Sequence, residues 1–479
     1  MRALLVRPVA LLALAALLLV ALAWLRPLDH DESQYVAAAM FTARGLIPYR
    51  DYAYLQTPLQ PFGLAPVALW AGLWTWPALR MANALFGALA LLGVYRAARI
   101  GGGEARLALA GAGLFAACDI LLFSAGTARN DALPAALLAL ALPSIVAAQR
   151  GAATRQSALI AGLLLSAAAA AKLSFALPAL AYGLYALSRP GHRAGWVAIG
   201  ALPMAIVTGW CWVAAPEAFL FEVFTFPARA PAEYYEAAGR AWKLGLPAKA
   251  LDVLKFLALG PALPALGLLA ATRRQRPIGA LDVMIVAGLI AAVLPSPTWR
   301  QYLLPALPPL FVQLALWWQA RPPSRAVRVA VVVFAVAGLA PSAEALVRGA
   351  AAPPLAVALA DTRAVARAAT GLDGLVVTLS PQFLAGSSTL PDPRFATGPF
   401  YFRSHGLLGP DEETRARLVS QDRLDAALVI RPAAVLAGGE GAWTSGDPAL
   451  DAAVERWAAA HGYRRTHVGP RLRLWFRPP

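Results

Sequence analysis

Charge is scarce in this chain. Of its 479 residues, 14% are Asp, Glu, Lys or Arg and 59% are hydrophobic, whereas soluble globular domains carry roughly 25% charged residues. A soluble domain of this size is therefore excluded. Cysteine is scarcer still: Cys118 and Cys211 are the two in the chain, each inside a hydrophobic run. That excludes a disulfide framework and leaves two packing residues. The five histidines are scattered without metal-ligand spacing, and no Ser/His/Asp arrangement assembles from them. Gly101-Gly102-Gly103 lacks the lysine of a phosphate loop and reads as a turn. Neither a repeat of fixed period nor the period-two alternation of a membrane barrel is found.

What is present is long uncharged stretches, at 8–25, 132–149, 194–216 and 301–320. Each approaches the ~20 residues a helix needs to cross about 30 Å of hydrocarbon. The pattern predicts a polytopic α-helical membrane protein with eleven spans, at about 8–25, 77–97, 105–124, 131–149, 156–171, 173–188, 194–214, 249–271, 279–295, 301–319 and 327–346. The first stretch follows Arg2 and Arg7 as a signal peptide would. Trp24-Leu25-Arg26-Pro27 offers no small-residue cleavage site, so it reads as a retained helix. The spans at 156–171 and 173–188 are short and meet at Lys172. They read as helices surrounded by protein, with Lys172 in a wet recess.

The turns alternate in character. One set holds Arg2, Arg7, Arg96, Arg99, Arg106, Arg150, Arg155, Arg189, Arg193, Arg273, Arg274, Arg276, Arg321, Arg325 and Arg328 against a single acid, Glu104. Basic residues concentrate in cytoplasmic loops, so this set and the N-terminus are expected in the cytoplasm and the other turns outside. The net charge of +16 follows the same asymmetry: residues 1–346 carry 27 basic and 14 acidic side chains, the remainder 15 and 12. The surplus reports topology, not a nucleic-acid partner. The alanine and arginine content suggests a GC-rich bacterial genome, and a bacterial inner membrane is the expected location.

Two outward segments are long. In 26–76, residues 32–43 read as a helix ended by Gly45 and Pro48. The stretch 52–79, with Pro58, Pro61, Pro66, Pro77, Trp70, Trp74 and Trp76, reads as helices lying at the interface. Segment 215–248 mixes both charges with Pro227 and Pro231 and reads as a mobile loop. After 346 the composition changes. Strand patterns at 375–379, 427–430, 465–468 and 472–476 alternate with helical ones at 411–419 and 448–461. The expected organisation is a membrane domain, 1–346, and a small extracytoplasmic α/β domain, 347–479.

Carboxylates at a membrane edge are costly to desolvate and point to function. Asp29, Asp31 and Glu32 crowd into four residues after the first span, with Tyr35 one helical step on. Close carboxylates repel, which raises at least one pKa and supplies a base or a metal ligand. The plain alternative is an acidic helix start that complements the dipole. Asp131, after Arg129, opens the fourth span on the same side and could be a second such acid. Together the two sites bracket one outer cavity, with Lys172 and Arg300 at neighbouring helix ends. All four lysines (Lys172, Lys243, Lys249 and Lys255) fall on that side, and lysine is a compact point charge for phosphate.

The order of these residues resembles the GT-C glycosyltransferases, in the branch of the protein mannosyltransferases and the lipid A aminoarabinose transferases. Asp31-Glu32-Ser33-Gln34-Tyr35, then Arg44 to Asp51 with its Gly45-x-x-Pro48 turn, then Gln56-Thr57-Pro58-Leu59 resemble that branch's first outer loop. Arg129-Asn130-Asp131 looks like its second acidic motif, Ala171-Lys172 its lysine between spans, and Arg300-Gln301-Tyr302-Leu303-Leu304-Pro305 its late segment. The match covers about residues 10–345. Thr57-Pro58 departs from a double proline, and Gln56 stands near the lysine of the aminoarabinose transferases.

The resemblance implies transfer of a sugar from a polyprenyl-phosphate donor to a lipid, glycan or protein acceptor at the outer membrane face, with inversion. It makes Asp31 the base. Glu32 and Asp131 would orient the acceptor or, with Asp31, a divalent metal ion. Lys172 and Arg300 would hold the lipid phosphate, and Asp29, Tyr35, Gln56, Arg129, Lys243 and Tyr302 would line the substrate site. The chemistry agrees: transfer from a lipid phosphate needs a base for a hydroxyl and cations for a leaving phosphate. A transporter or lipid flippase using Asp131 and Lys172 as a charge pair is the rival, although no inverted repeat supports it. A membrane-anchored binding domain is the third reading.

Overall fold

The computed structural model describes residues 2–404 and 406–477, with side chains from Pro8 onward. The side chains of Arg2 and Arg7 lie outside the described ones. Among the described residues six helices are long and apolar enough to cross a membrane: Pro8–Leu25, Leu59–Ile100, Ala132–Gln149, Ala194–Ala214, Arg300–Ala320 and Arg325–Ala351. The number rises to eight if two bent pairs each count as one crossing. Three further apolar helices, Arg155–Ala171, Leu173–Leu187 and Ala280–Val293, are shorter. The expected eleven crossings are thus six to eight by length and composition, because two expected spans are broken and three fall short.

The breaks are built features. Ala105–Ala116 and Asp119–Ala125 meet at 71°, and Leu246–Ala258 and Ala262–Ala271 at 102°. The two corners touch: the Asp119 amide donates to the Leu259 carbonyl at 3.0 Å. Gly260 turns the second corner at φ +148°, where a Cβ would lie 2.8 Å from Cys118 Cα. Cys118 and Cys211 are both buried free thiols. Elsewhere glycine lets backbones meet. A Cβ on Gly162 would lie 1.9 Å from the Val197 carbonyl oxygen, and one on Gly200 would lie 2.1 Å from that of Leu159. Small residues at such crossings maximise packing between apolar helices.

Segment 215–248 is helical rather than a loose loop, with helices at Pro216–Leu220 and Phe226–Ala237 joined by a π-helical turn, Phe221–Thr225. Phe219, Phe221, Val223 and Phe226 anchor it in a buried cluster with Tyr49, Tyr52, Tyr54 and Tyr401. The mixed charges of the segment mask these aromatic anchors.

Beyond the last long helix lies a four-stranded sheet of order β1-β2-β4-β3. β1 (Val376–Val377) pairs parallel with β2 (Ala434–Ala437). β2 pairs antiparallel with β4 (Leu472–Phe476), which pairs antiparallel with β3 (Arg464–Val468). The strand expected at 427–430 is absent: Leu424–Ala427 is helical, and Val429 and Ile430 are exposed. The sheet strand is the next apolar run, whose residues are all buried. Leu355, Val376, Phe383, Leu436 and Leu472 share one core with Leu28, Val36 and Met40. The sheet therefore sits directly on the acidic segment after the first helix.

Candidate active site

Helix Glu32–Ala43 begins where the acids crowd, yet its start is not capped by them: Asp31 stands at the N-cap and makes no side-chain cap bond. Asp29 Oδ1 instead accepts the Asp31 amide at 2.9 Å, which holds the segment in a tight turn. The three carboxylates leave this turn in different directions.

Glu32 points into the protein and is fully buried. Its Oε1 accepts from the Asp29 amide at 3.1 Å and from Arg80 Nη2 at 2.5 Å. Its Oε2 accepts from Trp76 Nε1, Arg80 Nε and the Ala128 amide, each at 2.8 Å. Arg80, also fully buried, spends its remaining donors on the carbonyls of Ala23, Arg26 and Pro27. Burial would raise the Glu32 pKa, but Arg80 and these donors hold it below the usual range. Every oxygen of Glu32 is committed, which corrects the expectation that it faces acceptor or metal.

Asp31 points the other way and retains about a fifth of its side-chain exposure (21%). It pairs with Arg129, and its Oδ1 lies 3.0 Å from His30 Nε2. Burial pushes its carboxyl up, yet Arg129 and the His30 hydrogen bond hold it well below the usual carboxylate range. Asp29, with less help from cations, is pushed up by burial and by the charge of Asp31. His30 loses through burial but gains more from Asp31 and Glu440, and its pKa is raised to about 10.

Arg129 joins the two acidic motifs. Its Nη1 lies 3.5 Å from Asp29 Oδ2 and against Asp31, and its Nε donates to Asp131 Oδ2 at 3.3 Å. Asp131 also pairs with Lys172. Lys172 stands at an extended residue between two short helices and donates to Asn130 Oδ1 at 3.3 Å. Its side chain is 5% exposed, so the recess is closed by ion pairing rather than wet. Gln56 receives Asn130 Nδ2 at 3.0 Å. Tyr302 lies under the Lys172 ammonium at 5.5 Å, and the buried Tyr35 phenol sits in the field of Arg129, Asp131 and Asp31. The Arg129 carbonyl is pinned by Gln60 Nε2 at 3.1 Å and Asn83 Nδ2 at 2.7 Å.

Arg300 is held one layer away. It pairs with Asp119 at 2.7 Å and stacks on Phe123 at 3.7 Å. The same ring faces the guanidinium groups of Arg26 at 5.1 Å and Arg129 at 5.4 Å. Lys243 stands outside this network, against the rings of Tyr235 and Trp242. Ten of the eleven expected site residues therefore share one neighbourhood. Arg26, Arg80, Asp119 and Glu440 join them, though the sequence reading assigns them no place in the site, and so does His30, which the sequence offers only as a polar loop residue or a metal ligand beside Asp31.

Solved structures of sugar-transferring membrane proteins share this architecture. ArnT from Cupriavidus metallidurans bound to undecaprenyl phosphate is 18% identical, with a TM-score of 0.57 over 98% of this chain and 97% of that one. The apo oligosaccharyltransferase of Archaeoglobus fulgidus is 15% identical, with a TM-score of 0.52 over 93% of this chain and 72% of that one. The mycobacterial arabinofuranosyltransferase AftD is 16% identical, with a TM-score of 0.52 over 98% of this chain and 40% of that one. This is the GT-C glycosyltransferase fold. At these identities the likeness is one of fold, and no family model and no curated protein matches the sequence.

Within the GT-C fold, two sequence signals point to residues passed over. Arg80 is a charge inside a predicted span, which demands a buried partner. Asp119 is likewise an acid inside one. Glu440 carries no such signal, since only folding brings it beside His30. The metal expectation meets a different obstacle. Asp31, Glu32 and Asp131 do not gather their oxygens among the described residues, whereas Asp29, His30 and Asp31 do, within 4.8 Å. Those three do not fit a divalent ion as arranged. Arg129 lies on both aspartates, and the two acids that flank His30 favour its protonated form, while a ligating imidazole must be neutral.

Proposed function

We propose that the chain is an integral membrane glycosyltransferase that moves a hexosyl or pentosyl unit from a polyprenyl-phosphate donor to a lipid, glycan or protein hydroxyl. The reaction would occur at the outer face of a bacterial inner membrane, with the N-terminus cytoplasmic and the 347–479 domain outside. One observation carries this reading: a part-exposed carboxylate, Asp31, stands beside the cations Arg129 and Lys172 at the helix ends of a GT-C fold. The rival Asp131–Lys172 charge pair is real, but the neighbouring folds are those of transferases and do not favour a transporter.

The acceptor hydroxyl oxygen attacks the anomeric carbon. The bond from that carbon to phosphate breaks with both electrons going to the phosphate oxygen. Asp31 takes the hydroxyl proton, and a single displacement inverts the centre. The leaving lipid phosphate gains one negative charge in this step, so cations placed on it stabilise the transition state more than the ground state. Arg129 and Lys172 are here occupied by Asp31, Asp29 and Asp131. A phosphate that draws them away also frees Asp31, whose basicity rises as its cation leaves. Arg300 on Phe123 completes the phosphate side. Glu32 acts from behind, fixing the turn that aims Asp31. No step requires a metal ion.

The test uses purified protein in lipid with a panel of polyprenyl-phosphate sugars, followed by mass spectrometry of the released carrier. Release by wild type and none by Asp31→Asn is the expected result. Equal turnover by both proteins would remove Asp31 from the chemistry.

A further inference from the structure

The C-terminal region reaches into the site through one residue. Glu440, three residues beyond the end of β2, is fully buried, and among the described residues no lysine or arginine pairs with its carboxylate. Its Oε2 lies 3.4 Å from His30 Nδ1, and its Oε1 receives the Ser380 hydroxyl at 3.3 Å. The opposite nitrogen of the same imidazole, Nε2, lies 3.0 Å from Asp31 Oδ1. The backbone is joined at the same place, where the His30 amide donates to the Thr444 carbonyl at 2.8 Å. The fold has no slack here. A Cβ on Gly446 would fall 2.6 Å from Glu440 Oε2, and one on Gly439 would fall 2.1 Å from Ser380 Oγ. Asp451 fixes the loop by accepting the Gly438 and Glu440 amides, each at 2.8 Å.

A carboxylate–imidazole–carboxylate chain that starts in one region and ends on the candidate base of another is more than a docking contact. A buried carboxylate with no cation of its own is costly. Glu440 Oε2 and His30 Nδ1 are both buried and face each other at 3.4 Å with no other hydrogen-bond partner among the described residues, so each has only the other to face. We propose that Glu440 is a positioning residue for the transfer reaction: it holds the His30 ring against Asp31, so the C-terminal region completes the catalytic site. This rests on the transferase reading above. It gives the C-terminal region a task beyond acceptor choice.

The charges around His30 are Asp31 and Asp29 on its own turn, Glu440 across the contact, Arg129 behind Asp31, Arg403 from the Pro399–Phe402 side and Asp451 behind Glu440. Removing Glu440 takes away one of the two acids that favour the imidazolium. His30 then deprotonates at lower pH, and Asp31 loses its aimed donor earlier as pH rises.

The experiment uses the full chain in lipid, with labelled histidine and His30 assigned by its absence in His30→Gln. Wild-type His30 is expected to stay doubly protonated to about pH 9, and Glu440→Gln to move its midpoint down by more than one unit. In parallel, Glu440→Gln should lower kcat tenfold or more with the donor KM within threefold. Its alkaline limb should move down with the His30 midpoint. Glu440→Asp should restore part of kcat, and Gly446→Ala should reproduce the loss with the carboxylate retained. An unchanged His30 titration in Glu440→Gln overturns the coupling, whatever the activity. A loss of kcat that is equal at every pH and tracks a lowered melting temperature overturns the positioning role in favour of a structural one. If His30 responds but wild type consumes no polyprenyl-phosphate sugar, the transferase reading falls, and the catalytic half of this proposal falls with it.

Discussion

Asp31 and Glu32 are adjacent in sequence and opposite in circumstance. Glu32 is fully buried and accepts from five donors, two of them the fork of Arg80. Asp31 is a fifth exposed, and its two partners, Arg129 and His30, are each shared with another carboxylate. A saturated carboxylate has nothing left to offer a substrate, so its work is to hold backbone. An undersaturated one, whose cations can be drawn off by an incoming anion, can change state during a reaction. The turn of the backbone at a helix start puts both kinds within one residue, the first braced by Arg80 and the second open to the site.

The largest separation between the two should come from Asp31→Asn. Loss of a general base costs ~10²–10⁴-fold in rate, and the melting temperature should stay near that of wild type because no saturated network is broken. Thermal unfolding and carrier release measured on one preparation check both halves. A strongly destabilised Asp31→Asn would erase the contrast. Glu32→Gln should do the reverse. Removing one partner of a buried ion pair costs about 3–5 kcal/mol, here by stranding Arg80, so folded yield and melting temperature should fall. The fraction that remains folded should still turn over. A stable but inactive Glu32→Gln would return Glu32 to the chemistry.

A third carboxylate sharpens the rule from the other direction. Asp451 is buried and accepts two amides on one oxygen, but its Oδ1 has no hydrogen-bond partner among the described residues. Burial, partly offset by those amides, raises its pKa to about 7. An acid raised in the fold holds its proton longer than in the unfolded chain, so this group's contribution to stability declines as pH climbs from about 4 to about 7 and then levels off. A rise of that size corresponds to about 4 kcal/mol as an upper order of magnitude. Asp451→Asn should flatten the decline, seen as a melting temperature that changes less between pH 5 and pH 8. Parallel pH profiles for variant and wild type would show that burial is not what distinguishes Asp451.

Much of this arrangement is legible in the chain, and the exceptions have physical causes. Long uncharged runs announce apolar helices because hydrocarbon demands them. They do not say whether a helix is broken, and the corners at Cys118 and Gly260 depend on each other across the fold. The acids at 29–32 and 131 and the lysine at 172 are visible because charge is rare around them. Arg80 and Asp119 are visible on the same ground and are the better lesson, since each sits inside a predicted span and each proves to be an ion-pair partner. The sequence pattern sets the strand of 434–437 at 427–430 because both runs are short and apolar, and only pairing with β1 and β4 distinguishes them. Glu440 is beyond the reach of any local pattern, because its meaning lies in a contact 410 residues away in sequence.

The smallest effect is expected at Lys243, and it tests whether rarity of a residue type is itself informative. Lysine is scarce here and falls on one side of the predicted topology, which makes all four candidates for phosphate. Lys172 meets a carboxylate, an amide oxygen and a tyrosine ring in a closed recess. Lys243 stacks on two rings near the surface, where a cation–π contact contributes ~0.5–1 kcal/mol. Lys243→Ala should therefore change kcat/KM for a polyprenyl-phosphate sugar by less than about fivefold, since about 1.4 kcal/mol is tenfold. Lys172→Met should lower it by far more. Equal losses at the two positions would mean that the lipid phosphate is drawn in past Lys243 before it reaches Arg129, and that the boundary of the site lies further along the Phe226–Ala237 helix than the acid–cation network marks.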